Sequence, residues 1–325
     1  MKNEILSIVV PCYNEQEVLP STNERLLTLL SDMSASGLVS AQSRIVYVDD
    51  GSRDATWSLI EQYAAADQRV TGVKLAGNVG HQNALLAGLE HASGYAHMIV
   101  TIDADLQDDA TLMAAMVERY HEGCDIVYGV RRERKSDTWF KRTTALAFYS
   151  LMRRLGVKSV YNHADYRLMS NRAVRQLLRY RERNLFLRGM VPLLGYKTAE
   201  VLYDRVERSA GESKYPLSKM LSFAVDGITS FSIKPVRMVL TLGILFTIIA
   251  LGILVYALVA YFSHRTVSGW TSMILSLWFI GGCVLIGLGI VGEYIGKIYI
   301  EVKDRPRYNV EKTLPDHADK QEGAA

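Results

Sequence analysis

The sequence predicts the α/β class: a largely parallel sheet with helices on its faces, followed by a pair of membrane-spanning helices. Three observations point there. Short apolar runs alternate with amphipathic stretches through residues 1–215, the pattern of strand–helix units in a parallel sheet. Polar clusters stand directly after several of those runs, where such sheets bind ligands. Two long runs towards the C-terminal end, 238–263 and 266–292, carry no charged residue.

The elements follow in order. Leu6–Val10 reads as a buried strand and Glu15–Met33 as a helix. Arg44–Val48 is the next strand. Asp54 is placed to cap a helix through Ala66, with Leu59, Ile60 and Tyr63 on one face. Val70–Leu75 is a strand, Gln82–His91 a helix and His97–Ile102 a strand. Asp109 is placed to cap a helix to His121. Asp125–Val130 is a strand and Thr138–Leu155 a helix. No internal repeat is visible.

The uncharged runs each exceed the ~20 apolar residues that span a bilayer. Core helices of that length keep a polar face, and these have none. Spans of about 238–262 and 270–291 within residues 236–294 are separated by a short turn, so they form a hairpin. Lys214, Lys219, Lys234 and Arg237 precede it; Lys297, Lys303, Arg305, Arg307 and Lys312 follow. The positive-inside rule then puts the N-terminal domain and the 295–325 tail in the cytoplasm. A multi-pass protein of a bacterial inner membrane is expected, with no signal peptide: Ile5–Val10 is too short and Pro11 follows it. Residues 216–235 carry Leu217, Met220, Leu221, Ala224, Val225 and Ile228 at helical spacing. Such a segment lies along the membrane or packs on the soluble domain. The polar stretch from Pro315 reads as disordered.

Composition agrees and excludes much. With 325 residues, about two domains are expected. A hydrophobic fraction of 49% excludes a disordered chain. A net charge of +3, from 37 basic and 34 acidic residues, gives no footprint for nucleic acid. Cys12, Cys124 and Cys283 are far apart without C-x-x-C, which supports neither zinc nor a disulfide framework. The mean hydropathy of +0.06 averages a charged domain with two apolar spans.

Three polar clusters gather at one predicted sheet edge: Pro11–Glu15, Asp49–Ser52 and Asp103–Gln107. Asp103-x-Asp105 places two carboxylates where they can converge on a hard cation, which is held by one or two carboxylates plus phosphate oxygens. Either acidic pair alone is a weak signal, since D-x-D and D-G-S occur often by chance; their joint placement is the stronger one.

In order along the chain, SIVVPCYNE (Ser7–Glu15), VDDGSRDAT (Val48–Thr56), NVGHQNALLAGL (Asn78–Leu89), DADLQD (Asp103–Asp108), YGVR (Tyr128–Arg131), DYRLMS (Asp165–Ser170) and RSAGESKY (Arg208–Tyr215) resemble family 2 glycosyltransferases of the GT-A fold. More narrowly, the chain is similar to bacterial polyprenyl-phosphate (bactoprenol) glycosyltransferases and to dolichyl-phosphate mannose synthases, over about residues 5–310. The resemblance implies that Pro11, Tyr13, Glu15, Asp49, Asp50, Asn78, Asp103 and Ala104 line a nucleotide-sugar pocket, with Asp50 facing the base. It implies that Asp103, Asp105 and Gln107 hold Mg²⁺ or Mn²⁺, and that Arg208 and Lys214 close over the donor phosphates. Arg131 and Arg142 would meet the lipid phosphate, and Asp165, Asp105 and Arg131 would serve the chemistry. Gly77 stands before Asn78 where relatives often carry Arg or Lys. The implied reaction joins one sugar, glucose first, from a UDP-sugar to polyprenyl phosphate, with inversion. The implied partners are those two substrates, the bilayer and a further copy of the chain.

Other basic residues of the 131–142 stretch read as surface charge beside the membrane. Gln176-x-x-Arg179-Tyr180 is like the Q-x-x-R-W of processive synthases, but Tyr replaces Trp and Asp165 lies close before it. The alternatives are such a synthase, or a non-catalytic module that binds nucleotide sugars.

Overall fold

The computed structural model describes residues 4–131, 163–183, 187–203, 234–262 and 269–314. The expected helix at 138–155, most of the 216–235 segment, the hairpin turn and the stretch from Pro315 lie outside these residues. So do Arg142, Arg208 and Lys214. Two compact units divide the chain; one holds residues 1–143, 158–214 and 305–325, the other 144–157 and 215–304.

The first unit is a mixed α/β sheet, mostly parallel. Its strands are β1 (Leu6–Cys12), β2 (Arg44–Asp49), β3 (Val70–Leu75), β4 (Met98–Thr101), β5 (Ile126–Arg131), β6 (His163–Ser170), β7 (Thr198–Tyr203) and β8 (Val310–Thr313), in the order β7-β5-β6-β4-β1-β2-β3-β8. The helices are α1 (Leu19–Ala35), α2 (Thr56–Ala66), α3 (His81–Ala92), α4 (Met113–His121), α5 (Asn171–Leu178) and the single turn α6 (Leu187–Met190).

Strands β1 to β4 arise where the apolar runs predict them. β1 is buried along its whole length. Its alternate residues Leu6, Ile8 and Val10 share a core with Leu26 and Leu30 of α1, Ile60 of α2 and Met113 and Met116 of α4. On the other face α3 lies so close that a Cβ on Gly88 would overlap Val9 and Val48. Each buried Leu or Ile side chain contributes roughly 1.5–3 kcal/mol.

Three features depart from expectation. α1 begins at Leu19 rather than Glu15, because Asn14 takes a left-handed conformation (φ 55°) and residues 13–18 form a loop. Strand β6 runs antiparallel between β4 and β5, pairing Thr101 with Arg167 and Val130 with His163. The start of β6 therefore shares an edge with the ends of β1, β2, β4 and β5. Part of the segment read as a C-terminal tail is β8, paired antiparallel with β3. Lys74–Glu311 (2.9 Å) and Lys312–Glu61 (2.6 Å) ion pairs flank it, and Leu314 is buried.

The second unit contains helices α7 (Lys234–Phe262) and α8 (Trp270–Val302). Pro235 falls in the first turn of α7, where its missing N–H costs nothing. Phe246 meets Phe279 edge to face at 5.8 Å, and Gly287 lies against Val239. The two contacts run in opposite numerical order, so the helices are antiparallel. Among the described residues, one segment, Phe279–Val302, is long and apolar enough to cross a membrane.

Candidate active site

Four loops meet at the edge where the parallel strands end. Those after β1 and β2 are stitched reciprocally. The Asn14 amide donates to Ser52 Oγ (3.0 Å) and Asn14 Oδ1 accepts from the Arg53 amide (2.8 Å). The Gln16 amide donates to Asp54 Oδ2 (3.2 Å), and Gln16 Oε1 accepts from the Ala55 amide (3.0 Å). The Glu15 amide donates to Thr56 Oγ1 (2.9 Å). Pro11 is buried within β1, while Tyr13 stands 43% exposed at the rim. Asp54 Oδ1 accepts the Thr56 amide at the head of α2 (3.0 Å), but the cap position itself is Ala55, with no side-chain bond; Asp109 caps the short turn ahead of α4 by accepting the Thr111 amide (3.0 Å).

Asp50 organises the loop after β3. Its Oδ1 accepts from the Val79 amide (2.8 Å) and its Oδ2 from the Gly80 amide (3.0 Å). Gly51 (φ +70°) must lack a side chain, since a Cβ would lie 2.7 Å from the Asn78 nitrogen. Asn78 itself is exposed. Asp49 is fully buried, with Oδ1 accepting from the Ser52 amide (3.2 Å). Burial pushes both carboxyls above the usual carboxylate range.

The loop after β4 carries Asp103, Ala104, Asp105 and Gln107. Ala104 is buried, and its carbonyl accepts from Thr22 of α1 (2.6 Å). Leu106 is held at φ 42°, uncommon for a branched residue. The strain, about 1–3 kcal/mol, is offset by burying its side chain in the core. The turn sends Asp105 back, where its Oδ1 accepts the Gln107 amide (3.3 Å). Gln107 is itself buried. Tyr203 of β7 donates to Asp108 (2.6 Å) and fixes the far end of the loop.

Asp165 is the third residue of β6, opposite this loop, and its carboxylate sits between two guanidinium groups. Arg167 Nη2 approaches Oδ1 at 2.6 Å, and Arg188 Nη2 approaches Oδ2 at 3.0 Å. Burial alone would raise the Asp165 pKa; the two arginines outweigh it and hold the carboxyl well below the usual range. His81, the first residue of α3, bridges the two acids. Its Nε2 lies 3.5 Å from Asp103 Oδ1 and 3.8 Å from Asp165 Oδ2. Burial pushes Asp103 up; His81 pulls it back, and the nearby Asp165, Asp108 and Asp105 carboxylates add to the rise.

The structure thus brings Pro11, Tyr13, Glu15, Asp49, Asp50, Asn78, Asp103, Ala104, Asp105, Gln107 and Asp165 to one edge. Arg131 closes β5 at that same edge. Sequence reasoning missed His81, Arg167 and Arg188 as site residues. His81 and Arg167 lie inside quoted motifs; Arg188 had only a lone charge in an apolar turn to mark it. A separate cavity of about 660 Å³ opens at the opposite edge, around Glu4, His121, Asp125 and Arg172, and of the motif residues only Ser170 lines it.

Residues 7–178 match the profile of Glycosyl transferase family 2. An uncharacterized glycosyltransferase of Bacillus subtilis, YkoT, is 53% identical over 95% of this chain and 92% of its own length. The SfII prophage-derived bactoprenol glucosyl transferase of Shigella flexneri is 37% identical over 95% and 98% respectively. Among solved structures, glucosyl-3-phosphoglycerate synthase from Mycobacterium tuberculosis overlaps 70% of this chain and 79% of that one, at 19% identity and a TM-score of 0.45, too loose a likeness to argue from. With a family match over half its length and relatives along nearly all of it, the chain is a glycosyltransferase and belongs to glycosyl transferase family 2.

Proposed function

We propose that this glycosyltransferase moves one sugar, glucose first, from a UDP-sugar to a polyprenyl phosphate such as undecaprenyl phosphate, at the cytoplasmic face of a bacterial inner membrane. One observation carries the reading: the half-exposed Asp103 and the arginine-held Asp165 share a sheet edge in a chain 37% identical to a bactoprenol glucosyl transferase.

The donor nucleotide fits the loops after β1, β2 and β3, beside Pro11, Tyr13, Glu15, Asp49, Asp50 and Asn78, with Ala104 and Asp103 near its diphosphate. Arg208 and Lys214 are assigned to the donor phosphates, and Arg131 and Arg142 to the lipid phosphate, by motif position.

Mg²⁺ or Mn²⁺ would be held by Asp103 and Asp105, with Gln107 beside them. The donor set fits a hard cation: it is all oxygen, and burial, with the neighbouring carboxylates adding to it, raises the Asp103 pKa, a cost a cation would relieve. Among the described residues no cluster of three or more His, Cys, Asp or Glu is arranged to hold a metal alone, so substrate oxygens would complete the shell. When bound, the ion supplies positive charge to the departing diphosphate. The acceptor phosphate, with a second pKa near 6, is largely dianionic at neutral pH and needs no strong base. Asp165, held ionised and engaged by two guanidiniums, suits positioning better than proton removal. A single displacement inverts the anomeric centre.

For the membrane, we assign α7 and α8 as a two-helix hairpin with both chain ends cytoplasmic. α8, at roughly 1.5 Å per residue, exceeds a hydrocarbon core of roughly 30 Å; its last turns, with Glu293, Lys297 and Glu301, would stand clear of it.

The test is the full-length protein in detergent with undecaprenyl phosphate, a divalent metal and a panel of UDP-sugars. One sugar on an organic-extractable lipid supports the reading. A polymeric product, or no transfer to the lipid from any donor, overturns it.

A further inference from the structure

Asp165 is held by two guanidinium groups that differ in exposure. Arg167, 2% exposed, already lies 2.6 Å from Oδ1 and neutralises a buried carboxylate. Arg188 adds a second guanidinium, with Nε 3.3 Å from Oδ1 and Nη2 3.0 Å from Oδ2. Its surroundings are built to present it. In the turn α6, Leu187, Gly189 and Met190 are buried, whereas the Arg188 side chain is 40% exposed. The turn is pinned by its backbone: the Leu187 amide donates to Gln82 Oε1 (2.9 Å), and the Leu187 carbonyl accepts from Arg167 (3.5 Å). Gln82 follows His81, whose Nε2 approaches the same Asp165 oxygen that Arg188 holds, and Asp103 besides. The more exposed guanidinium therefore stands at the edge where the diphosphate and the acceptor phosphate must meet.

We propose that Arg188 binds a phosphate oxygen of a substrate, and that Asp165 is the positioning residue that seats it. The proposal rests on the reading of this site as one for sugar transfer between two phosphate-bearing substrates. A planar guanidinium anchored along one side by a carboxylate keeps a fixed direction, which suits phosphate recognition better than a mobile ammonium does. Both the donor diphosphate and the lipid monophosphate offer that chemistry.

The experiment uses the full-length protein in detergent, with UDP-glucose (or whichever UDP-sugar the panel selects) and undecaprenyl phosphate, and titrates UDP separately. For Arg188→Ala a rise in KM of tenfold or more is expected for one substrate: for UDP-glucose, with weaker UDP binding, if the donor is held; for undecaprenyl phosphate, with UDP binding unchanged, if the acceptor is. Arg188→Lys should recover part of the loss. Asp165→Asn should raise the same KM as Arg188→Ala and leave the pH–rate profile unshifted. Both KM values and UDP binding within threefold of wild type in Arg188→Ala would overturn the proposal. So would an Asp165→Asn variant that loses kcat alone, together with a limb of its pH profile, for that is the behaviour of a base. Arg188 is half-exposed, so its variants report even if Asp165→Asn does not fold. If wild type transfers no sugar to the lipid, the functional reading fails by itself, and UDP binding in Arg188→Ala still judges the donor arm.

Discussion

Two acidic pairs stand at the same edge after parallel strands, yet they do different work. Asp49 and Asp50, behind β2, are buried, and the Asp50 carboxylate is spent on the Val79 and Gly80 amides. Asp103 and Asp105, behind β4, sit in a strained turn and stay partly open. The first pair builds the wall of the cleft; the second leaves charge partly exposed within it. A carboxylate becomes architecture when backbone amides engage both of its oxygens, as at Asp50, and stays available for chemistry when the local turn brings only one, as at Asp105.

The sharpest way to break this contrast is Asp105→Ala. Turnover should fall at least ~10²-fold, the scale of losing one charge-stabilising group, while the thermal midpoint stays near wild type; a large drop in the midpoint would put Asp105 in the architectural class. Asp50→Ala should do the reverse. Two amides lose their acceptor, each worth about 1–3 kcal/mol when buried, so denaturant melts should shift by that scale. Gly51→Ala attacks the same wall from the other side, and its strain of about 1–3 kcal/mol should also appear in melts. Asp49→Asn is the mildest, within about 1 kcal/mol. It also has a pH signature. Burial raises the Asp49 pKa, so ionising it costs the folded state at neutral pH, and the cost fades as pH falls through that raised value towards about 4. The advantage of Asn over Asp should therefore shrink from pH 7 to pH 4.

The half of the sheet from β1 to β4 was legible because its strands are unbroken apolar runs with polar loops behind them. In the other half β5 was legible in the same way, but β6, β7 and β8 were not, and β6 shows why. Asp165 and Arg167 look like loop residues in a sequence, yet they point to one face of a strand and neutralise each other inside the protein. Long-range pairing made that segment a strand, and no local pattern reports it. β8 was hidden by its length of 4 residues. The candidate site was legible wherever a motif held it. Arg188 became visible only once the fold had carried α6 next to Asp165.

The pairing of β8 has a practical consequence for anyone wishing to handle this enzyme without its apolar helices. A chain cut after residue 215 would keep every motif behind β1 to β4 but lose Asn309–Leu314. That would strip the hydrogen bonds that Ala76 and Gly72 make with Asn309 and Leu314 and uncover one side of β3. An open strand edge invites pairing with the next molecule, so such a fragment should self-associate. Rejoining residues 305–314 through a flexible linker is the remedy the strand order suggests.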